Sequence, residues 1–339
     1  MTILGIETSC DETSAAVLID GEVKSNVISS QLVHTEFGGV VPELASRAHI
    51  QFIIPVVESA LSKANISKFE LDGIAVTYAP GLMGALLVGV NFAKSLAFGL
   101  NIPFIGVNHL QAHIYSNFLS IQKPTYPFIC LVVSGGHTIL VLIEEPFKHK
   151  ILGETLDDAA GEAFDKVAKM LNVGYPGGPI IDKLAKKGNR NAIKFPRTLT
   201  LENEFDFSFS GLKTSVLYYL RDNHFIQNGN GLNINETQLA DICASFQTAV
   251  VDVLTNKLLA AAKKYNVTNV AIAGGVSANS ELRNKMKTLR DENNLHLHIP
   301  AFQYCTDNGA MIAMVGQMKL ERGITSSIDI VPVANIGIG

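Results

Sequence analysis

The sequence predicts an α/β protein of two lobes built on one duplicated frame. Three observations carry this reading. The 339 residues suffice for about two domains, each with its own core. Residues 3–19 and 128–143 both read as strand, polar loop, strand, offset by roughly 125 positions. Strand–turn–helix units then recur at residues 72–100, 105–113 and 270–279. Composition agrees: with 47% hydrophobic and 17% charged residues, the chain is globular and apolar-rich rather than disordered. A net charge of −4 gives no global sign of nucleic-acid binding, so such contact would need a local basic patch.

In order, residues 3–9 form a short buried strand that runs into the polar turn Cys10-Asp11-Glu12-Thr13-Ser14. Residues 15–19 return as a strand, and Asp20-Gly21 marks a hairpin end. Residues 34–49, with Gly38-Gly39 and Pro42, read as an insertion in the first lobe ending in a short helix. Residues 72–77 form a strand, Tyr78-Ala79-Pro80-Gly81 a turn, and residues 82–100 an apolar helix. The strand at 105–107 leads into a helix holding His109 and His113. In the second half, strands at 128–133 and 139–143 flank the loop Ser134-Gly135-Gly136-His137-Thr138. Residues 157–166 open an acid-rich helix, 174–179 form a glycine–proline loop, and 241–264 have helical periodicity. Residues 270–279 read as strand, glycine turn, helix. The last long helix begins near Asp307, with Thr306 as candidate N-cap. The expected lobes are residues 1–125 and 126–339, the last helix packing back at the cleft between them.

Several classes are excluded. Cys10, Cys130, Cys243 and Cys305 form no C-x-x-C pair, and reduced thiols in the cytoplasm are expected. Acids at Glu7, Asp11 and Glu12 rule out a secretory signal. The stretch at 82–100 is interrupted by Asn91 and Lys94, so a buried helix is expected rather than a membrane span.

His109 and His113 stand four residues apart, which on a helix puts both imidazoles on one face. The spacing suits a metal pair, although ordinary helix histidines have it too. A third ligand is needed, and Asp307, at the start of a helix, is the best candidate on chemical type. Two histidines and one carboxylate leave open positions on a non-haem Fe(2+) or catalytic Zn(2+) ion. A zincin protease needs H-E-x-x-H, and Leu110 stands in the place of its Glu. Glu7, Asp11 and Glu12 gather at one strand end, for turn hydrogen bonds or as a general base or metal orienter. Ser134-Gly135-Gly136 and Gly274-Gly275-Val276 each follow a strand; tight turns explain them, and a nucleotide in the cleft fits them too. Asp165 and Asp182 are either ligand acceptors or helix-end and surface charges. The run Lys183, Lys186, Lys187, Arg190, Lys194 and Arg197 is a solvated helix face or a phosphate patch.

Together the motifs Gly5-Ile6-Glu7-Thr8-Ser9-Cys10-Asp11-Glu12-Thr13, Gly38-Gly39-Val40-Val41-Pro42-Glu43, Pro80-Gly81-Leu82, Asn108-His109-Leu110-Gln111-Ala112-His113, Val133-Ser134-Gly135-Gly136-His137-Thr138, Phe164-Asp165-Lys166, Ala273-Gly274-Gly275-Val276-Ser277-Ala278-Asn279 and Thr306-Asp307-Asn308-Gly309-Ala310-Met311-Ile312-Ala313 closely resemble the tRNA threonylcarbamoyladenosine transferase family (TsaD, formerly O-sialoglycoprotein endopeptidase), in its bacterial form. They run in the family's order over nearly the whole chain. The resemblance implies the two-lobed actin-like/Hsp70-like (ASKHA) nucleotide-binding fold with duplicated lobes. It implies transfer of a threonylcarbamoyl group from threonylcarbamoyl-AMP to N6 of adenosine 37 in tRNAs reading ANN codons, with AMP leaving. A metal-dependent glycoprotein endopeptidase and a non-catalytic actin-like scaffold are the alternatives.

By motif position, the resemblance implies that His109, His113 and Asp307 hold one metal ion, Fe(2+) in this family with Zn(2+) the alternative. Val132, Val133, Ser134, Gly135, Gly136, Asp165, Gly178, Asp182 and Asn279 would contact the adenylate. Asp11 or Glu12 would relay the amine proton. Archaeal and eukaryotic members carry a metal-contacting tyrosine where Val132 stands, so a substrate or water oxygen would take its place here. The implied partners are tRNA, a TsaB-like paralogue and a TsaE-like P-loop ATPase, with no membrane.

Overall fold

β1 (Thr2–Glu7), β2 (Glu12–Ile19) and β3 (Glu22–Ser30) open the chain as an antiparallel meander. The computed structural model describes residues 1–31, 39–198, 203–226 and 231–338. The β2–β3 turn is Asp20-Gly21, and both residues have positive φ, 49° and 82°, as a two-residue hairpin loop requires. The chain then adds α1 (Pro42–Lys63), β4 (Gly73–Ala79), α2 (Met83–Leu100), β5 (Phe104–Asn108) and α3 (His109–Tyr115). β4 pairs parallel to β1 and β5 parallel to β4, giving the order β3-β2-β1-β4-β5.

The frame then repeats. β6 (Phe128–Val133), β7 (Thr138–Glu145) and β8 (Lys148–Glu154) form the second meander. α4 (Ala160–Met170), α5 (Gly177–Ala185), α6 (Ser210–Asp222) and α7 (Glu236–Lys264) follow. Next come β9 (Asn269–Ala273), α8 (Ser280–Asn293), β10 (His296–His298) and, last, α9 (Gly309–Leu320). The second sheet runs β8-β7-β6-β9-β10, with β6–β9 and β9–β10 parallel. Both sheets thus have the same strand order and the same senses, which is the expected duplication.

The chain divides into two compact units, Met1–Lys123 with Pro300–Gly339, and Pro124–Ile299. This corrects the expected second lobe of 126–339, because residues from 300 onward belong to the first unit. The cause is α9, whose residues 309–316 are all buried, so no face of it is suited to water. It packs on β1, β2, β4 and β5. Side chains of β1 alternate between two layers. Leu4 and Ile6 cluster with Ile53, Val56 and Val57 of α1 and Val90 and Ala93 of α2. Gly5 meets α9 at Gly309 and Ala313 on the other face.

Residues 32–38, which include part of the expected insertion, lie outside the described residues. From Pro42 the segment is no short helix but the 22-residue α1, because Ala45, His49, Ile53, Val56, Val57 and Ala60 continue one buried face. α2 is long and apolar enough to cross a membrane by length and composition, yet Ala85, Leu86, Gly89, Val90, Ala93 and Ala97 form a buried face within the first unit. The basic run leaves the helix early, since α5 ends at Ala185. Lys186 pairs with Asp182 at 3.4 Å, Arg197 with Asp252 at 2.8 Å, and Arg190 with Glu281, so acids from outside the run offset much of its charge.

Lys319 of α9 donates to the Gly106 carbonyl at 3.1 Å, and burial pushes its ammonium down to about 8. Between that value and the unfolded value of ~10.4 the unfolded chain binds more protons, so stability rises with pH over this window. The expected gain is on the order of 1–3 kcal/mol by linkage. Urea midpoints of wild type and Lys319→Met at pH 7 and pH 10 check it: the gap between them should narrow or reverse in favour of wild type at pH 10. An unchanged gap refutes it.

Candidate functional site

α3 is short, and Asn108 sets where it starts. Its Oδ1 accepts from the amides of Leu110 at 2.9 Å and Gln111 at 3.2 Å, satisfying donors that a helix N-terminus leaves open. Its Nδ2 donates to the Gly337 carbonyl at 3.1 Å. All seven residues of α3 are buried. The helix therefore projects His109 and His113 in a fixed direction, their rings edge-to-face with centroids 4.6 Å apart.

Asp307 completes the cluster from the segment before α9. His113 Nε2 lies 3.1 Å from His109 Nε2 and 3.1 Å from Asp307 Oδ1, and His109 Nε2 lies 3.4 Å from the same oxygen. Donors bound to one ion at ~2.0–2.2 Å stand about 3.0–3.5 Å apart in octahedral or tetrahedral arrangements. The triangle has that size. The cap of α9 is Asn308, whose Oδ1 accepts from Met311 N at 3.0 Å; Thr306 does not fill that role. Both residues are cap formers, and the helix starts two residues later than expected. Asp307 is thereby left clear of cap duty.

Glu7 stands behind His109. Its Oε2 lies 3.0 Å from His109 Nδ1 and accepts from the Thr77 hydroxyl at 2.6 Å, while its Oε1 accepts from Ser9 N. A carboxylate there favours a proton on Nδ1, which makes Nε2, toward Asp307 and His113, the nitrogen a metal would take in place of a second proton. A metal-binding histidine needs that tautomer and that carboxylate backing. Ser9 Oγ lies 3.2 Å from the same nitrogen.

The electrostatics call for a cation. Burial alone would raise Asp307, but His109 and then His113 hold its carboxyl far below the usual range. Burial would likewise raise Glu7, which His109 holds below its ordinary value. His109 would be lowered by burial, yet Asp307 and Glu7 raise it well above its ordinary value. A buried and a partly exposed carboxylate thus hold a proton on an imidazole, and a divalent ion could replace that proton. Among the described residues His109, His113 and Asp307 are the one group of three or more His, Cys, Asp or Glu side chains that could hold a metal ion. His113 Nδ1 is buried without a hydrogen-bond partner, so its orientation rests on packing.

Glu12 opens β2. Burial, then the charges of Asp307, Asp11 and Glu7, push its carboxyl up to about 9. Asp11 is its hydrogen-bonding neighbour in the β1–β2 loop. Of the three carboxylates grouped by the sequence, only Glu7 contacts a metal-site histidine.

The remaining candidates lie in the second unit. Val132 and Val133 are fully enclosed in the central strand β6, so any ligand contact there falls to backbone. Ser134 closes the loop: its Oγ accepts from His137 N at 3.1 Å and its carbonyl from Gly161 N at 3.2 Å. Gly135 and Gly136 are exposed, and a Cβ on either would meet open space. Asp165, on α4, accepts from Gly177 N at 2.7 Å and also from Gly178, capping α5. Burial raises it despite those bonds. Asp182 accepts from Ser280 Oγ at 2.7 Å. Asn279 caps α8 through Leu282 N at 3.0 Å and donates to Gln247 at 2.8 Å. Hydrogen bonds thus join α4 to α5 and α5 to the start of α8, and each polar candidate has a structural task. Gln247, Thr77, Ser9 and the cap Asn108 were given no role of their own in the sequence. Only Asn108 carried a signal, an N-cap residue type directly before a helix.

A family model described as TsaD: tRNA N6-adenosine threonylcarbamoyltransferase matches residues 22–314. A protein of that name from Chlorobium luteolum is 52% identical over 338 residues, covering 96% of this chain and 94% of its own. One from Thermosipho africanus is 49% identical over 339 residues, covering both chains fully at 100%. Among solved structures, HypF of T. kodakarensis aligns with TM-score 0.64 at 16% identity, over 96% of this chain and 48% of that one. The activator of the 2-hydroxyisocaproyl-CoA dehydratase from Clostridium difficile aligns with TM-score 0.52 at 15% identity, over 97% and 100%. These two likenesses concern the fold, which is the two-lobed ASKHA-like α/β architecture.

Proposed function

The chain belongs to the tRNA N6-adenosine threonylcarbamoyltransferase family, and from that premise we propose that it takes the threonylcarbamoyl group from threonylcarbamoyl-AMP to N6 of adenosine 37 in tRNAs reading ANN codons, releasing AMP. The observation that carries a catalytic rather than a scaffold role is the convergence of His109 Nε2, His113 Nε2 and Asp307 Oδ1, with Glu7 behind His109. His109, His113 and Asp307 hold one metal ion, Fe(2+) by family expectation or Zn(2+). The ion, when bound, supplies Lewis acidity and orientation to donor oxygens.

The residues of the chain do the rest. The N6 amine is a weak nucleophile, and the donor is an activated mixed anhydride, so positioning dominates. The bond from N6 to the carbamoyl carbon forms, the bond from that carbon to the phosphate oxygen breaks, and the N6 proton leaves. Asp11 or Glu12, neighbours at the end of the β1–β2 loop, accepts the proton from N6. Backbone at 132–136, with Asp165, Gly178, Asp182 and Asn279, binds the adenylate. The open space at Gly135 and Gly136 supports a close approach of ligand to backbone there. A TsaB-like paralogue and a TsaE-like P-loop ATPase serve as partners, and the cytoplasm, where tRNA is found, is the setting.

The test combines the chain, both partners, threonylcarbamoyl-AMP and unmodified tRNA, with nucleoside mass spectrometry as readout. Threonylcarbamoyladenosine at position 37 is expected. Unchanged adenosine with metal-loaded protein and active partners overturns the proposal.

A further inference from the structure

His49 lies on α1, outside the metal site, and is fully buried. One ring nitrogen faces the loop between β1 and β2, and the other faces the start of β2. Nε2 is 3.0 Å from the Cys10 carbonyl oxygen, and Nδ1 is 2.8 Å from Thr13 Oγ1. A carbonyl can only accept, so Nε2 carries the proton. Nδ1 then accepts from the Thr13 hydroxyl, and one neutral tautomer satisfies both bonds. Cys10 and Thr13 are the residues on either side of Asp11 and Glu12.

The start of the same loop is tied elsewhere. Thr8 Oγ1 donates to the Ala85 carbonyl at 3.1 Å, and Leu82 N donates to the Ser9 carbonyl at 2.8 Å. Ser9 also bonds Glu7 and lies against His109. Beyond the loop, Glu12 and Thr13 pair with Ser30 and Ser29 of β3. Cys10 and Asp11 lie between these two anchored stretches, and His49 bridges them from α1.

We propose that His49 is a positioning residue for the transfer step: by clamping the Cys10 carbonyl and the Thr13 hydroxyl it fixes the geometry of Asp11 and Glu12. This rests on the assignment of those carboxylates to proton transfer. The clamp's two bonds end on Cys10 and Thr13 rather than on a metal-site side chain, so its loss is expected to move the proton acceptor without emptying the metal site. A displacement of about 1 Å at a reacting group can cost ~100-fold in rate.

The test compares His49→Leu, His49→Gln and Thr13→Val in the reconstituted system. Gln keeps one N–H donor and one oxygen acceptor, whereas Leu keeps neither. His49→Leu should lower kcat by ~10–100-fold, with KM for tRNA and adenylate within about 3-fold and metal content at the wild-type level. His49→Gln should restore most of kcat, and Thr13→Val should fall between. If His49→Leu fails to fold, the Gln and Thr13→Val variants carry the comparison. Unchanged kcat in His49→Leu and Thr13→Val, or a loss of kcat that tracks a loss of metal, overturns the proposal. Asp11→Asn and Glu12→Gln in the same assay separate the two readings. If they lower kcat while the His49 and Thr13 variants do not, only the clamp fails. If they leave kcat intact, the carboxylate assignment fails.

Discussion

Asp307→Ala is expected to lower metal affinity by more than ~100-fold, since changes to the groups behind a metal ligand alone cost ~10–100-fold, and the transfer reaction should be lost with it. Asp307 Oδ1 is the only anionic corner of a triangle whose other corners are imidazole nitrogens, 3.1 and 3.4 Å away. Without it, two neutral donors remain, and the carboxylate of Glu7 faces the far nitrogen of His109. Glu7→Gln should do less, costing about 10–100-fold in affinity, because Gln can still accept from Nδ1–H while losing the charge that makes Nε2 a better donor. Equilibrium dialysis of Fe(2+) or Zn(2+) against wild type and both variants gives the ranking, with circular dichroism confirming the fold. Near-wild-type affinity in Asp307→Ala would remove Asp307 from the ligand set.

How much of this was legible in the sequence differs by residue. His109 and His113 could be paired because helical spacing is local, and the duplicated meander could be read because two loops recur at a fixed offset. Glu7 could not be told from Asp11 and Glu12. What separates them is strand alternation: Glu7 falls on the face of β1 shared by Gly5, beneath α9 and α3, and the other two lie beyond the strand. The home of residues 300–339 was misread because an all-round apolar helix does not say which sheet it covers. The charge of the basic run was overcounted because Asp252 and Glu281 come from distant parts of the chain. The bonds of His49 were invisible for the same reason, one partner being a backbone carbonyl.

The second large effect is expected at Gly5. An ideal Cβ there would fall well inside contact distance of the Gly309 carbonyl oxygen and the Ala313 nitrogen. A Cβ on Gly309 would in turn lie 2.6 Å from Ala16 N and 2.8 Å from the Gly5 oxygen. Most of these neighbours are backbone atoms, so no rotamer change relieves them, and α9 would have to lift off β1. Gly5→Val should therefore destabilise the first unit by more than ~4 kcal/mol, beyond the usual ~1–3 kcal/mol of overpacking. Gly5→Ala is the more telling variant. Asp307 sits two residues before Gly309, so a smaller lift of α9 should pull the carboxylate from the histidines and weaken metal binding while α3 stays folded. Gly99→Ala, where a Cβ meets nothing within 4 Å, should be neutral or stabilising by up to ~1 kcal/mol. Thermal melts and metal titrations of the three variants decide the matter. Gly5→Ala with wild-type metal affinity and melting temperature would mean that the contact between β1 and α9 does not set the position of Asp307.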